Sequence, residues 1–237
     1  MLINPEKLRQ NLDRLEDVEK VSLRLVTQAI YDYRMTAQEI FRAESDQVAD
    51  IGEDITREAL DRLGMPRIDQ RLFGKVDYKR ACYLFQPEYA LKQALFVDSK
   101  AEKVSGQGTA TLQTSQFSMR VRQIRFGQAL DVQGKLPEIM NLKGDAYLTT
   151  TIFVKYNYGE EGTTNVLKSI TVAAVPNGML QDRYNPTVKD TIWIAGRNAP
   201  TLGEEFRVRL SFHRLKEKAN WRVQHIPVLP DEFVWAG

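Results

Sequence analysis

Apolar residues recur every three or four positions at the start of the chain: Leu8, Leu12, Leu15, Val18, Val21 and Leu25, then Ile30, Tyr33, Ala37 and Phe41. That period belongs to an α-helix with one buried stripe. It predicts one long or two consecutive amphipathic helices over about residues 5–44, with Pro5 in the first turn. The stripe suits core packing or a subunit contact equally. A second helix is predicted over about 50–63, with Ile51, Ile55, Ala59 and Leu63 on one side. Gly64 and Pro66 end it.

Beyond residue 70 the pattern reads mostly as strand. Residues 75–85 read as one strand, Gln86-Pro87-Glu88 as part of a turn, and Leu95, Phe96 and Val97 as a second, buried strand. Residues 104–108 form a Gly/Ser loop, and Leu112–Phe117 a short helix or turn. The stretches 146–158 and 166–175 are rich in β-branched and aromatic residues, and 159–165 joins them as a hairpin. Residues 206–212 alternate: Phe206, Val208, Leu210 and Phe212 face one way, Arg207, Arg209 and Ser211 the other. Helices followed by strands with a few further helices give an α/β or α+β class around one mixed sheet. No linker interrupts the chain, so residues 1–237 are expected to form a single domain.

Composition narrows the function classes. The chain has 43% hydrophobic and 27% charged residues, as ordinary globular proteins do. No apolar run is long enough for a membrane helix, and the N-terminus lacks a signal-peptide core. A single cysteine, Cys82, excludes an internal disulfide and fits a reducing cytoplasm. Two histidines, His213 and His225, with one cysteine do not make a usual zinc site. The net charge of +2 is unevenly spread. Residues 1–70 carry 10 Lys+Arg against 15 Asp+Glu, and residues 71–237 carry 23 against 16. The basic part suits a polyanionic partner.

The chemistry concentrates where the second strand ends. Asp98 and Lys100 follow the run at i and i+2, so their side chains share a face. Asp77 lies 98 − 77 = 21 residues upstream, on the preceding strand. Antiparallel pairing of the two strands would bring Asp77 beside Asp98. Two close carboxylates repel unless a divalent cation sits between them, and hard oxygens favour Mg²⁺ over zinc. A neighbouring lysine can orient a water or stabilise charge on a phosphate. On spacing alone, Asp98 and Lys100 fit a surface salt bridge about as well. Glu53, near the start of the second helix, suits the helix dipole or a supporting metal role. Arg207 and Arg209, about 7 Å apart on a strand, suit adjacent guanine edges in a major groove, or a solvated face paired with Glu204 or Glu205. Arg197, after Gly196, would extend the same surface.

Five ordered motifs carry a resemblance that spacing alone does not. Glu53-Asp54-Ile55-Thr56, Val76-Asp77-Tyr78-Lys79-Arg80, Val97-Asp98-Ser99-Lys100-Ala101, Arg183-Tyr184-Asn185-Pro186 and Arg214-Leu215-Lys216-Glu217 occur in sequence over about residues 10–225. Together they resemble the SfiI-type restriction endonucleases, relatives of BglI. The resemblance implies the PD-(D/E)xK fold, a mixed central sheet flanked by helices with a helical N-terminus. It implies Mg²⁺-dependent cleavage of both strands of duplex DNA within an interrupted palindrome, leaving 3′ overhangs, by a homodimer or homotetramer. Asp77, Asp98 and Lys100 match the family's catalytic set, although Val76 stands where the motif's proline would be. Asp77, Asp98 and the Ser99 carbonyl would hold the metal, and Arg197, Arg207 and Arg209 would read bases. Two other readings use the same residues. One is a repair or recombination nuclease that recognises DNA structure; the other is a non-catalytic DNA-binding module.

Overall fold

The N-terminal stripe folds as a 3₁₀ turn and one long helix. Pro5 opens the 3₁₀ turn Pro5–Gln10 rather than the α-helix itself. Asn11 then caps α1 (Leu12–Ala43), its side chain accepting from the Arg14 amide at 3.1 Å. The buried stripe runs through Leu15, Glu19, Ser22, Val26, Ile30, Tyr33, Ala37 and Phe41. Val21 and Leu25, expected on it, stand at its margin, because two of its members are polar. Glu19 accepts from the Asn177 amide at 2.8 Å and pairs with Arg222 at 2.7 Å. The Ser22 hydroxyl accepts from Gln93 at 3.0 Å. α2 (Val48–Asp61) begins earlier than expected, so its first turn holds Asp50 and not Glu53 or Asp54.

The structure is a computed structural model describing residues 2–44, 48–68, 81–104, 108–195, 207–228 and 232–237. In chain order the strands after α2 are β1 (Ala81–Gln86), β2 (Leu91–Lys103), β3 (Thr109–Gln113), β4 (Val121–Arg125), β5 (Gln128–Val132), β6 (Ile139–Leu142), β7 (Asp145–Glu161) and β8 (Thr164–Val175). There follow the short helix α3 (Gln181–Tyr184), β9 (Trp193–Ala195), β10 (Arg207–Ser211), α4 (Phe212–Lys218) and β11 (Val223–Pro227). The central sheet runs β1-β2-β7-β8-β11, with β6 also on β7. It is mixed as expected: β2 and β7 run parallel, and the other pairs are antiparallel. A smaller sheet runs β3-β10-β9, and β4 pairs with β5.

Three expectations shift. β2 does not end before Asp98 but continues to Lys103, because its ladder with β7 runs on that far. The hairpin loop is tighter than 159–165: β7 and β8 meet around Gly162, whose φ of +63° suits glycine. Phe212 leaves the strand and starts α4, where the Ser211 hydroxyl accepts from the Arg214 amide.

Alternation along the central strands sorts their apolar side chains between the two faces of the sheet. Leu95, Val97, Ile152, Val154 and Tyr156 face α1 and α2. Phe153, Ala173 and Val175 face the other way, against Ala110, Leu112, Val208 and Leu210 of the smaller sheet. Asp98, Lys100 and Glu102 lie on this second face, between the two sheets.

Candidate active site

β2 and β7 place the site side by side. Their parallel register sets Asp98 beside Phe153, Lys100 beside Lys155 and Glu102 beside Asn157. Asp98, Lys100 and Glu102 are half-buried, whereas Lys155 is fully buried. The surface salt bridge between Asp98 and Lys100 does not form. Lys100 Nζ instead donates to the Thr111 carbonyl on β3 at 2.6 Å and lies 6.0 Å from the Phe153 ring centre. Lys155 Nζ donates to the Thr109 carbonyl at 2.6 Å and pairs with Glu102 Oε2 at 2.6 Å. Burial pushes the Lys155 ammonium below the ordinary lysine range, against the pull of Glu102. The positive charges of Lys100 and Arg209 push it the same way as burial.

α2 backs this strand from the opposite face. Gly52 makes the approach possible: a Cβ there would stand 3.1 Å from the Ala101 nitrogen and 3.2 Å from the Lys100 carbonyl carbon. Thr56 Oγ1 and the Tyr156 hydroxyl lie 2.9 Å apart in a hydrogen bond that ties α2 to β7. Glu53 follows Gly52 on this helix and is half-buried. The helix therefore sets the height of the strand carrying Asp98 and Lys100.

On the smaller sheet, Arg207 and Arg209 share one face of β10, with Gln113 and Thr111 opposite them on β3. Both arginines are half-buried, and Arg207 Nε is buried with no hydrogen-bond partner among the described residues. A buried guanidinium nitrogen left so is costly unless a ligand takes it up. Two of the five motifs carry arginines held by contacts within the fold. Arg183 pairs with Asp13 and Glu16, each at 2.8 Å, and Arg214 caps the Thr191 and Trp193 carbonyls at 3.2 and 3.1 Å.

Asp77 and Arg197 lie outside the described residues. Among the described residues no three His, Cys, Asp or Glu gather as a metal site. The Asp98 carboxylate that β2 presents on this face is a hard-oxygen donor, which fits a divalent cation, whereas Glu102 on the same face is taken up by Lys155. No helix among the described residues is long and apolar enough to cross a membrane.

A family model described as the type II restriction enzyme SfiI matches residues 24–226. The chain belongs to the SfiI restriction enzyme family. The type II restriction enzyme SfiI of Streptomyces fimbriatus is 38% identical over 231 residues, 91% of this chain and 85% of that protein. The crystal structure of tetrameric SfiI bound to cognate DNA matches with a TM-score of 0.82 at 33% identity, covering 98% of this chain and 90% of that one. The crystal structure of BglI bound to its DNA recognition sequence matches with a TM-score of 0.76 at 17% identity, over 94% and 93%. At that identity it speaks for the fold, which is the restriction-endonuclease fold expected from the motifs. As an SfiI-family enzyme the chain is a type II restriction endonuclease, which sets aside the structure-specific nuclease and the non-catalytic module. Enzymes of this type generally work with a divalent metal.

Sequence reasoning passed over Lys155 and Glu102. A signal existed: Lys155 is the one charged residue in Ile152-Phe153-Val154-Lys155-Tyr156, where a buried strand has no need of it.

Proposed function

We propose that this enzyme hydrolyses both strands of duplex DNA within an interrupted palindrome, with Mg²⁺ as its metal. The products would be 3′ overhangs with 5′-phosphates. The observation that carries the reading is the shared face of β2. It sets Asp98 and Lys100 together, with Lys100 bonded to the strand that pairs with Arg207 and Arg209. Asp77, Asp98 and the Ser99 carbonyl would hold the ion, with Glu53 as a supporting acid on α2. When bound, the ion acidifies a water and offsets charge on the scissile phosphate. Lys100 orients the attacking water and stabilises its deprotonated form. Its ammonium has three donors; one is committed to Thr111, and two remain for water and phosphate. In-line attack forms the new P–O bond as the bond to the 3′ oxygen breaks, leaving a 3′-hydroxyl and a 5′-phosphate.

Arg207 and Arg209, with Arg197, read base edges through forked donors. Cutting both strands of a palindrome requires two copies related by a two-fold axis. The tetrameric, DNA-bound state of the SfiI relative supports a homodimer or homotetramer here. Residues 1–237 act as one domain, in the cytoplasm.

The test is a digest of phage DNA with Mg²⁺, followed by run-off sequencing across a cut. Discrete fragments with a fixed stagger support the reading. Asp98→Ala should abolish cleavage while binding to cognate DNA, measured with Ca²⁺ in place of Mg²⁺, stays within a few-fold. An Asp98→Ala enzyme that still cuts would refute the assignment.

A further inference from the structure

Two lysines, not one, reach from the central sheet to β3, and they take alternate carbonyls. The Gly108 carbonyl accepts from the Phe212 amide at 3.1 Å, so it points toward the β10 side. In a strand, carbonyls alternate in direction, so those of Thr109 and Thr111 point to the outer edge. Lys155 occupies the first and Lys100 the second, each at 2.6 Å. β10 sets Arg209 opposite Thr111 and Ser211 opposite Thr109. A base-reading arginine, one strand pair and the candidate catalytic ammonium thus form a continuous line: Arg209, Thr111, Lys100.

That line can transmit position only if β3 is held at a second point. Lys155 supplies it. Rooted on β7, fully buried, and paired with Glu102 on β2, it anchors the Thr109 carbonyl to both central strands at once. Burial works against its charge, so an apolar side chain would fill the position at lower cost to the fold. The contacts that the charge makes are the ones that fix β3.

We propose that Lys155, paired with Glu102, is a positioning residue that pins β3 so that engagement of Arg209 sets the place of Lys100 at the scissile phosphate. The inference rests on the reading of Lys100 as the catalytic ammonium. Lys155 touches no reacting atom in this scheme. Its loss should leave DNA bound and cutting slow, and it should blunt the advantage of the correct sequence.

The experiment compares the wild type, Lys155→Met, Arg209→Ala and the double variant. Single-turnover cleavage is measured at saturating enzyme, on the cognate site and on a site with one half-site base changed. Binding with Ca²⁺ and thermal melts run alongside. A small misplacement at a reacting centre costs up to about 100-fold in rate. Lys155→Met should therefore lose roughly 30- to 100-fold in cognate rate, with binding within about three-fold. The rate on the altered site should fall much less, because Lys100 is already misplaced there. Once Arg209 is gone, adding Lys155→Met should cost under about three-fold more. Losses that multiply in the double variant, or a fall in binding that matches the fall in rate, would overturn the inference. Glu102→Gln, whose parent side chain is 34% exposed, decides the matter if Lys155→Met does not fold. A wild type that leaves DNA uncut overturns the site reading and this inference together. A cutting wild type with an unaffected Lys155→Met overturns this inference alone.

Discussion

Adding one methyl at Gly52 tests how tightly α2 sets the active strand. The Cβ of Gly52→Ala would meet Tyr156 Cδ2 at 3.0 Å, the Ala101 nitrogen at 3.1 Å and the Lys100 carbonyl carbon at 3.2 Å. Comfortable carbon contacts begin near about 3.5 Å, so all three are short. Two of the neighbours are backbone atoms of β2, laddered to β7 at both Lys100 and Ala101. The third belongs to a buried ring whose hydroxyl is held by Thr56. None can give way cheaply. Replacing a mid-helix glycine by alanine ordinarily gains about 1 kcal/mol. Overpacking a rigid site costs about 1–3 kcal/mol. The balance is a destabilisation of about 0–2 kcal/mol, where helix propensity alone predicts a stabilisation. Gly52→Val adds two more carbons and a poorer helix former, and should lose at least about 2 kcal/mol. Urea unfolding gives the stability. Single-turnover cleavage gives the second reading, because the displaced segment is the backbone of Lys100, and a fall of ten-fold or more is expected for valine. A Gly52→Ala enzyme that is about 1 kcal/mol more stable and cuts at the wild-type rate would show that α2 does not press on β2 as described.

Arg209→Ala should weaken binding to the cognate site by about 1–3 kcal/mol and leave binding to unrelated duplex nearly unchanged, as titrations on the two DNAs would show. A uniform loss on both would make Arg209 a phosphate contact instead. Lys155 also gives a pH signature. Its folded value is lowered, so between that value and the ordinary 10.5 the unfolded chain binds the proton more readily. Stability contributed at this position therefore rises with pH across that window. The wild-type minus Lys155→Met difference in urea stability should climb from neutral pH toward pH 10.5; a flat difference would mean that Glu102 fully compensates the burial.

The parts of the fold that were legible are those with a clean period. α1 and α2 announce themselves by apolar spacing, and β7 and β8 by their density of β-branched and aromatic residues. The stripe of α1 was misplaced where Glu19 and Ser22 belong to it, since a buried acid matched by Arg222 across the chain leaves no local trace. β5 was missed because it is half-exposed or exposed along its length and only Leu130 and Val132 mark its inner face. That Asp98 and Lys100 share a face was readable, because on one strand the pleat alone decides it. Lys155 was not, because a parallel register between residues 55 apart is set by topology alone. Asp77 and Arg197 lie outside the described residues.

The parallel pairing of β2 with β7 also bears on when this enzyme first becomes active. Parallel neighbours need a long excursion between them, and here it carries β3 through β6. A growing polypeptide must therefore close a loop spanning 155 − 100 = 55 residues before Lys100 gains its neighbour on β7, and must then deliver β10, a further stretch downstream, before β3 has a partner. An incomplete chain leaving the ribosome holds Asp98 and Lys100 on an unfinished edge, and the proposed site is whole only once β10 has arrived.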